Sequence, residues 1–168
     1  MAGPPDAIPL SKPDITSVER GLVDGELRSG RQALGPMTEQ FEQMVAARSG
    51  CDQGVATNSG TSALDLMMRG LGIGPGDEVI TTPLSCIASA NPIEHARATP
   101  VFVDVCPKTR NADPDAMEAA ITPETRASMA VEAFGNPAYM DRYAQLAAKY
   151  EIILLEDSCE ALGATHTG

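Results

Sequence analysis

The sequence is short of the residues from which several common sites are built. It holds two histidines, His95 and His166, and four cysteines, Cys51, Cys86, Cys106 and Cys159, with no Cys-x-x-Cys pair among them. Zinc sites need ligands at close, fixed spacings and small disulfide scaffolds need dense cysteine, so neither is indicated and reduced thiols are expected. Basic residues are few: twelve Lys and Arg stand against twenty-three Asp and Glu, for a net charge of −11. That field repels nucleic acid and anionic lipid, and neither is expected as a partner. No apolar run approaches the roughly 20 residues of a membrane span, and no charged-then-apolar leader opens the chain, so a soluble cytoplasmic protein is expected. Lysine occurs only as Lys12, Lys108 and Lys149.

What is present reads as one domain. A length of 168 residues suits a single core, since domains of about 100–200 residues are the norm. Residues 1–13 contain Pro4, Pro5, Pro9 and Pro13, a density that cannot continue a helix or a sheet ladder and predicts an extended arm. Residues 14–168 form the body. Ile15, Val18, Leu22 and Val23 recur at helical spacing behind Asp14 as N-cap, with Gly30 beyond the end; Phe41, Met44 and Val45 share a face in a second helix, Met37 to Ser49, which Gly50 stops.

After Gly50 the pattern changes. Short apolar runs at 54–57, 78–82, 100–104, 127–131 and 152–155 alternate with helical segments at 62–71, 85–96, 114–120 and 138–150. Strands that read as continuous apolar runs are buried on both faces, which predicts an α/β fold with a mostly parallel sheet and flanking helices. The chain ends at His166-Thr167-Gly168, a turn-like segment just after what reads as a central strand with no crossover to cover it.

In open α/β sheets ligands settle beyond the carboxyl ends of the strands. The residues there are Asn58 to Ser62, Pro83 to Cys86, Glu132 and Asp157 to Glu160. Asn58-Ser59-Gly60-Thr61-Ser62 opens a helix, where N–H groups, hydroxyls and the helix dipole can hold an anion; an ordinary capped helix start has the same residues. Asp157 follows an apolar strand and needs a partner at the core's edge. A pyridinium N–H would serve, as would the simple role of a turn cap. Together the two segments suggest a phosphorylated, cationic cofactor, but no lysine follows Asp157. Gly72-Ile73-Gly74-Pro75-Gly76 follows a helix and precedes a strand, the reverse of a dinucleotide fingerprint, and reads as a stop and turn. His95 and His166 receive no role, and Cys86 and Cys159 read first as small hydrophobes near the site.

The order of these motifs resembles the DegT/DnrJ/StrS family of sugar aminotransferases, pyridoxal-phosphate enzymes of the aspartate aminotransferase fold (fold type I). The resemblance rests on Leu10 to Ile15, Leu27 to Gly30, Gly35-Pro36, Asn58 to Leu64, Gly74 to Ile80, Pro100 to Asp104, Phe134 to Asp141 and Glu156 to Ala164. It implies that Gly60, Thr61 and Ser62 hold the phosphate of pyridoxal 5'-phosphate and that Asp157 pairs with its pyridine nitrogen. It places Cys86 where the family commonly has an aromatic ring over the cofactor, Glu160 where it often has Gln near the phenolic oxygen, and Glu132 where it often has His. The family's Schiff-base lysine, in a Ser-x-x-Lys segment beyond the Asp motif, and its smaller carboxy-terminal domain have no counterpart in these residues. The resemblance therefore implies residues 14–168 to be a partial large domain, truncated before that lysine. The parent enzyme would move an amino group from glutamate or a similar donor onto a nucleotide-linked keto-sugar, as a homodimer. The alternatives are a lysine-lacking dehydratase of the same family using pyridoxamine phosphate, a non-catalytic cofactor-binding module, and an inert remnant.

Overall fold

A computed structural model describes residues 12–31 and 33–166; the expected arm falls outside it apart from Lys12 and Pro13. In chain order the elements are α1 (Ser17–Ser29), α2 (Pro36–Ser49), α3 (Gly60–Gly70), β1 (Glu78–Thr81), α4 (Asn91–His95), β2 (Thr99–Phe102), α5 (Pro114–Ala119), β3 (Thr125–Val131), α6 (Met140–Tyr150) and β4 (Ile153–Asp157). Single 3-10 turns occupy Ile87–Ser89 and Ala133–Gly135.

The four strands form one parallel sheet in the order β2-β1-β3-β4. Successive residues point to opposite faces, so each apolar run feeds two cores at once. Val79, Ala127, Met129 and Leu155 meet Leu64 and Met68 of α3 and Ile93 of α4 on one face. Ile80 and Ala130 meet Met117 of α5 and Tyr143 and Leu146 of α6 on the other. The continuous apolar runs thus reflect helices on both faces, as the sequence pattern predicts. Buried polar groups tie the loops: the Tyr143 hydroxyl donates to the Ala112 carbonyl at 2.6 Å, and the fully buried Asn111 donates to the carbonyls of Asn136 (2.7 Å) and Ala138 (3.2 Å).

Several expectations need correction. Thr16, not Asp14, caps α1, in a reciprocal box with Glu19. The Thr-x-x-Glu spacing that makes such a box was visible in the sequence. α1 buries no residue, and Val18, Leu22, Val23 and Leu27 are all exposed, as are Phe41 and Met44 of α2. Residues 54–57 form no strand: the Ala56 N–H goes to the Glu42 carboxylate at 2.7 Å instead of a ladder. Gly54 presses so closely on α2 that a Cβ there would lie 2.6 Å from the Glu42 carbonyl oxygen. The helix expected over 85–96 is broken into a 3-10 turn and the short α4, because Pro92 carries no N–H and can sit only in a helix's first turn. β4, read as a central strand, is an edge of the sheet described here.

Met129 is fully buried on the central strand β3. Met129→Ala is expected to lower stability by about 2–5 kcal/mol through lost burial and the cavity left behind. Chemical denaturation checks this, and an unchanged midpoint would refute the placement of Met129 in the core.

Candidate functional site

With strand order β2-β1-β3-β4, the chain leaves β1 towards β2 on one side and resumes with β3 on the other. Connections that diverge in this way open a crevice beyond the strands' carboxyl ends. A cavity of about 460 Å³ lies there, within the usual range for small-molecule sites, about 300–1,000 Å³. Gly60, Thr61, Cys86, Asp157 and Glu160, separated by up to a hundred residues in sequence, all line it.

The start of α3 forms part of the cavity wall. The Ser59 side chain accepts the Ser62 N–H at 3.1 Å and its carbonyl accepts the Ala63 N–H at 3.1 Å. The N–H groups of Gly60 and Thr61 have no acceptor among the described residues, and the positive end of the helix dipole adds to their field. Ser62 does not line the cavity; its hydroxyl is engaged 3.0 Å from Ser59 Oγ. Gly60 is a close approach, since a Cβ there would lie 3.2 Å from Cys159 Sγ.

Asp157 also lines the cavity. It closes β4 in register with Val131 of β3 and is 8% exposed. Its Oδ2 accepts the Ser89 hydroxyl at 2.6 Å and its Oδ1 the Cys159 N–H at 3.4 Å. No Lys, Arg or His pairs with it among the described residues. Cys86 and Cys159 are exposed rather than buried, and the neighbouring Asp157 carboxylate, with some desolvation, pushes the Cys159 thiol up to about 11.

Two further carboxyls stand at the rim. Glu160 accepts the Phe134 N–H at 2.9 Å and so holds Phe134, whose φ of 57° is left-handed, in a conformation that non-glycine residues rarely adopt. Glu132 is 5% exposed and accepts the Ser158 hydroxyl at 2.7 Å, while the same hydroxyl also touches Glu156. Burial, followed by the neighbouring Glu156, raises the Glu132 carboxyl above the ordinary carboxylate range against the lowering effect of Ser158. Ser158 has one proton for two carboxyl contacts, so joint satisfaction requires a proton on one of the acids.

Neither histidine lines the cavity, nor does any lysine; Lys149 lies on α6 with its Nζ 2.6 Å from Glu118 Oε1. Sequence reasoning missed Ser89, which sits inside a segment read as plain helix. Its spacing of four from Ser85 was the available signal. Phe134 was missed because only its backbone conformation turns it to the cavity's edge.

The profile of the DegT/DnrJ/EryC1/StrS aminotransferase family matches residues 13–168. The chain belongs to this family. It is 43% identical over 159 residues to the spore coat polysaccharide biosynthesis protein SpsC of Bacillus subtilis, covering 95% of this chain and 41% of that protein. It is 45% identical over 142 residues to a dTDP-3-amino-3,4,6-trideoxy-alpha-D-glucose transaminase of Streptomyces venezuelae, covering 84% and 38%. A solved Streptococcus pneumoniae protein, provisionally named a sugar aminotransferase, superposes in its PMP form with a TM-score of 0.91 at 38% identity, over 96% of this chain and 44% of that one. GDP-4-keto-6-deoxymannose-3-dehydratase with a trapped PLP-glutamate geminal diamine gives 0.91 at 29% identity, over 96% and 44%. The fold is therefore that of PLP-dependent fold type I aminotransferases, and the chain spans about two-fifths of the length of the relatives it matches.

The site yields two predictions. A carboxyl raised in the folded state binds its proton more tightly there than in the unfolded chain, so its stabilisation is complete below the unfolded value and is lost as pH rises through the folded one. Replacing Glu132 by Gln is expected to raise the thermal midpoint relative to the parent more at about pH 7 than at about pH 4; a gap independent of pH would refute the raised carboxyl. The second concerns thiols. The Tyr139 hydroxyl donates to Cys106 Sγ at 3.2 Å and, with nearby backbone N–H groups, lowers that thiol to about 7. Iodoacetamide at neutral pH is expected to label Cys106 at least about tenfold faster than Cys159, read by peptide mass spectrometry, and equal rates would count against both assignments.

Proposed function

We propose that this chain forms the cofactor pocket of a pyridoxal-phosphate-dependent aminotransferase acting on a nucleotide-linked keto-sugar, with glutamate or a similar amino donor. One observation carries the reading: a buried carboxylate without a cationic partner, Asp157, shares a cavity with the uncapped N–H groups of Gly60 and Thr61. That pairing of a negative and a positive end suits a ligand with a cationic ring at one end and a phosphate at the other. When bound, pyridoxal phosphate supplies an electron sink and carries the amino group between substrates.

In this reading the chain's residues bind and orient. The Gly60 and Thr61 N–H groups hold the phosphate, and Gly60 lets it approach the backbone. Ser62 acts by fixing the helix start through Ser59. Asp157 accepts the pyridine N–H and keeps the ring protonated. Cys86 lines the cavity where the family's aromatic ring is expected, a smaller and softer wall. Glu160 keeps the Phe134 turn in place at the cavity wall, and either a carboxylate or an amide oxygen could accept that N–H. No lysine lines the cavity, so in this reading its wall would bind and orient the cofactor without supplying an exchanging amine. We place residues 14–168 in the large domain and the working enzyme in a homodimer.

The superposition on the dehydratase supports a second reading, dehydration driven by pyridoxamine phosphate. Sequencing the coding DNA past the codon for Gly168 separates the two: Ser-x-x-Lys supports transamination, and His in place of that Lys supports dehydration. For the pocket itself, saturable binding of pyridoxal phosphate by absorbance titration is expected, weakened at least about tenfold by Asp157→Asn through loss of a charge-assisted bond. Absence of saturation, or equal affinity in the variant, would sink the reading.

A further inference from the structure

The contacts behind Asp157 extend beyond the cavity wall. Ser89 is 1% exposed and does not line the cavity, yet its Oγ lies 2.6 Å from Asp157 Oδ2 across sixty-eight residues of sequence. Ser89 Oγ is in turn 2.7 Å from Ser85 Oγ, and Ser85 does line the cavity. The direction of this chain follows from donor counts. A carboxylate only accepts, so the single Ser89 proton is committed to Asp157 and Ser85 must donate to Ser89.

We infer that Ser89 is the positioning residue that aims Asp157 at the cofactor's ring nitrogen, with Ser85 closing the chain at the cavity; this rests on the pocket reading above. Three features carry it. Ser89 is rigid, because its backbone N–H donates to the Cys86 carbonyl at 3.0 Å within the 3-10 turn. The torsion that rotates a carboxylate is soft and has no sharp minimum of its own. Oδ2 accepts a short bond from Ser89 at 2.6 Å while Oδ1 has only a long N–H contact at 3.4 Å, so holding the first oxygen leaves the second as the freer acceptor for a ligand N–H. The long Cys159 N–H contact to Oδ1 is the one a ring N–H would supplement or displace.

The test uses the full 168-residue chain titrated with pyridoxal phosphate, followed by absorbance and by the ¹⁵N resonance of ring-labelled cofactor. Ser89→Ala is expected to weaken binding about tenfold and to move the ring nitrogen towards its unprotonated position. Ser89→Thr keeps the hydroxyl and is expected to restore both, and Ser85→Ala to weaken binding about threefold with a smaller ¹⁵N change. Should Ser89→Ala fail to fold, Ser85→Ala and Ser89→Thr still decide the matter. A Ser89→Ala protein with a lower thermal midpoint but parental affinity and ¹⁵N resonance overturns the inference, as does a Ser85→Ala protein identical to the parent if that is the only alanine variant that folds. Asp157→Asn separates the two levels: parental affinity there defeats the pocket reading, whereas weak binding there with a silent Ser89→Ala defeats the positioning role alone.

Discussion

Parallel pairing of β3 with its neighbours on both sides is the constraint from which the site follows. β3 is the longest strand, almost wholly buried, and its register with β4 sets Val131 beside Asp157. Its pairing with β1 brings the segment after Thr81, with Ser85, Cys86 and Ser89, to the same edge. Once these registers are set, the carboxyl ends of β1, β3 and β4 lie together, and α3 packs on the sheet with its start lining the same cavity as Asp157. A slip of one residue in β4 would turn Asp157 to the other face of the sheet and leave the cavity without its buried carboxylate.

The electrostatics of the cavity follow from the same geometry. Helix-start N–H groups and a buried carboxylate line one cavity, and neither has a charged protein partner among the described residues. Such an arrangement is costly in an empty site and favourable around a ligand of matching polarity. The hydroxyls and backbone around it are committed elsewhere: Ser59 to capping α3, Ser89 to Asp157, Ser158 to the Glu132 and Glu156 carboxyls.

Other residues lining the cavity or adjoining it have structural work of their own. Glu160 holds the N–H of a left-handed Phe134, and the buried Glu132 is bridged by Ser158 to the exposed Glu156. Cys159 lies close to Gly60 through its Sγ and to Asp157 through its backbone N–H. These residues change the proton inventory at the rim without removing the two features on which ligand polarity depends.

Local pattern was enough for the α/β class and the parallel sheet, because apolar runs such as Val79-Ile80 and Met129-Ala130 must feed two opposite cores wherever they pair. The helix start at Gly60 and the strand-end position of Asp157 were legible for the same reason: capping residues and strand ends are properties of a few consecutive amino acids. Residues 54–57 show the limit of that logic, since a strand exists only if another strand accepts its hydrogen bonds, and here the Ala56 N–H finds the Glu42 carboxylate instead. The Ser85–Ser89–Asp157 chain, the acid pair at Glu132 and the exposed apolar face of α1 were decided by tertiary structure alone. Each depends on which distant segments meet, and no local run of residues encodes that meeting.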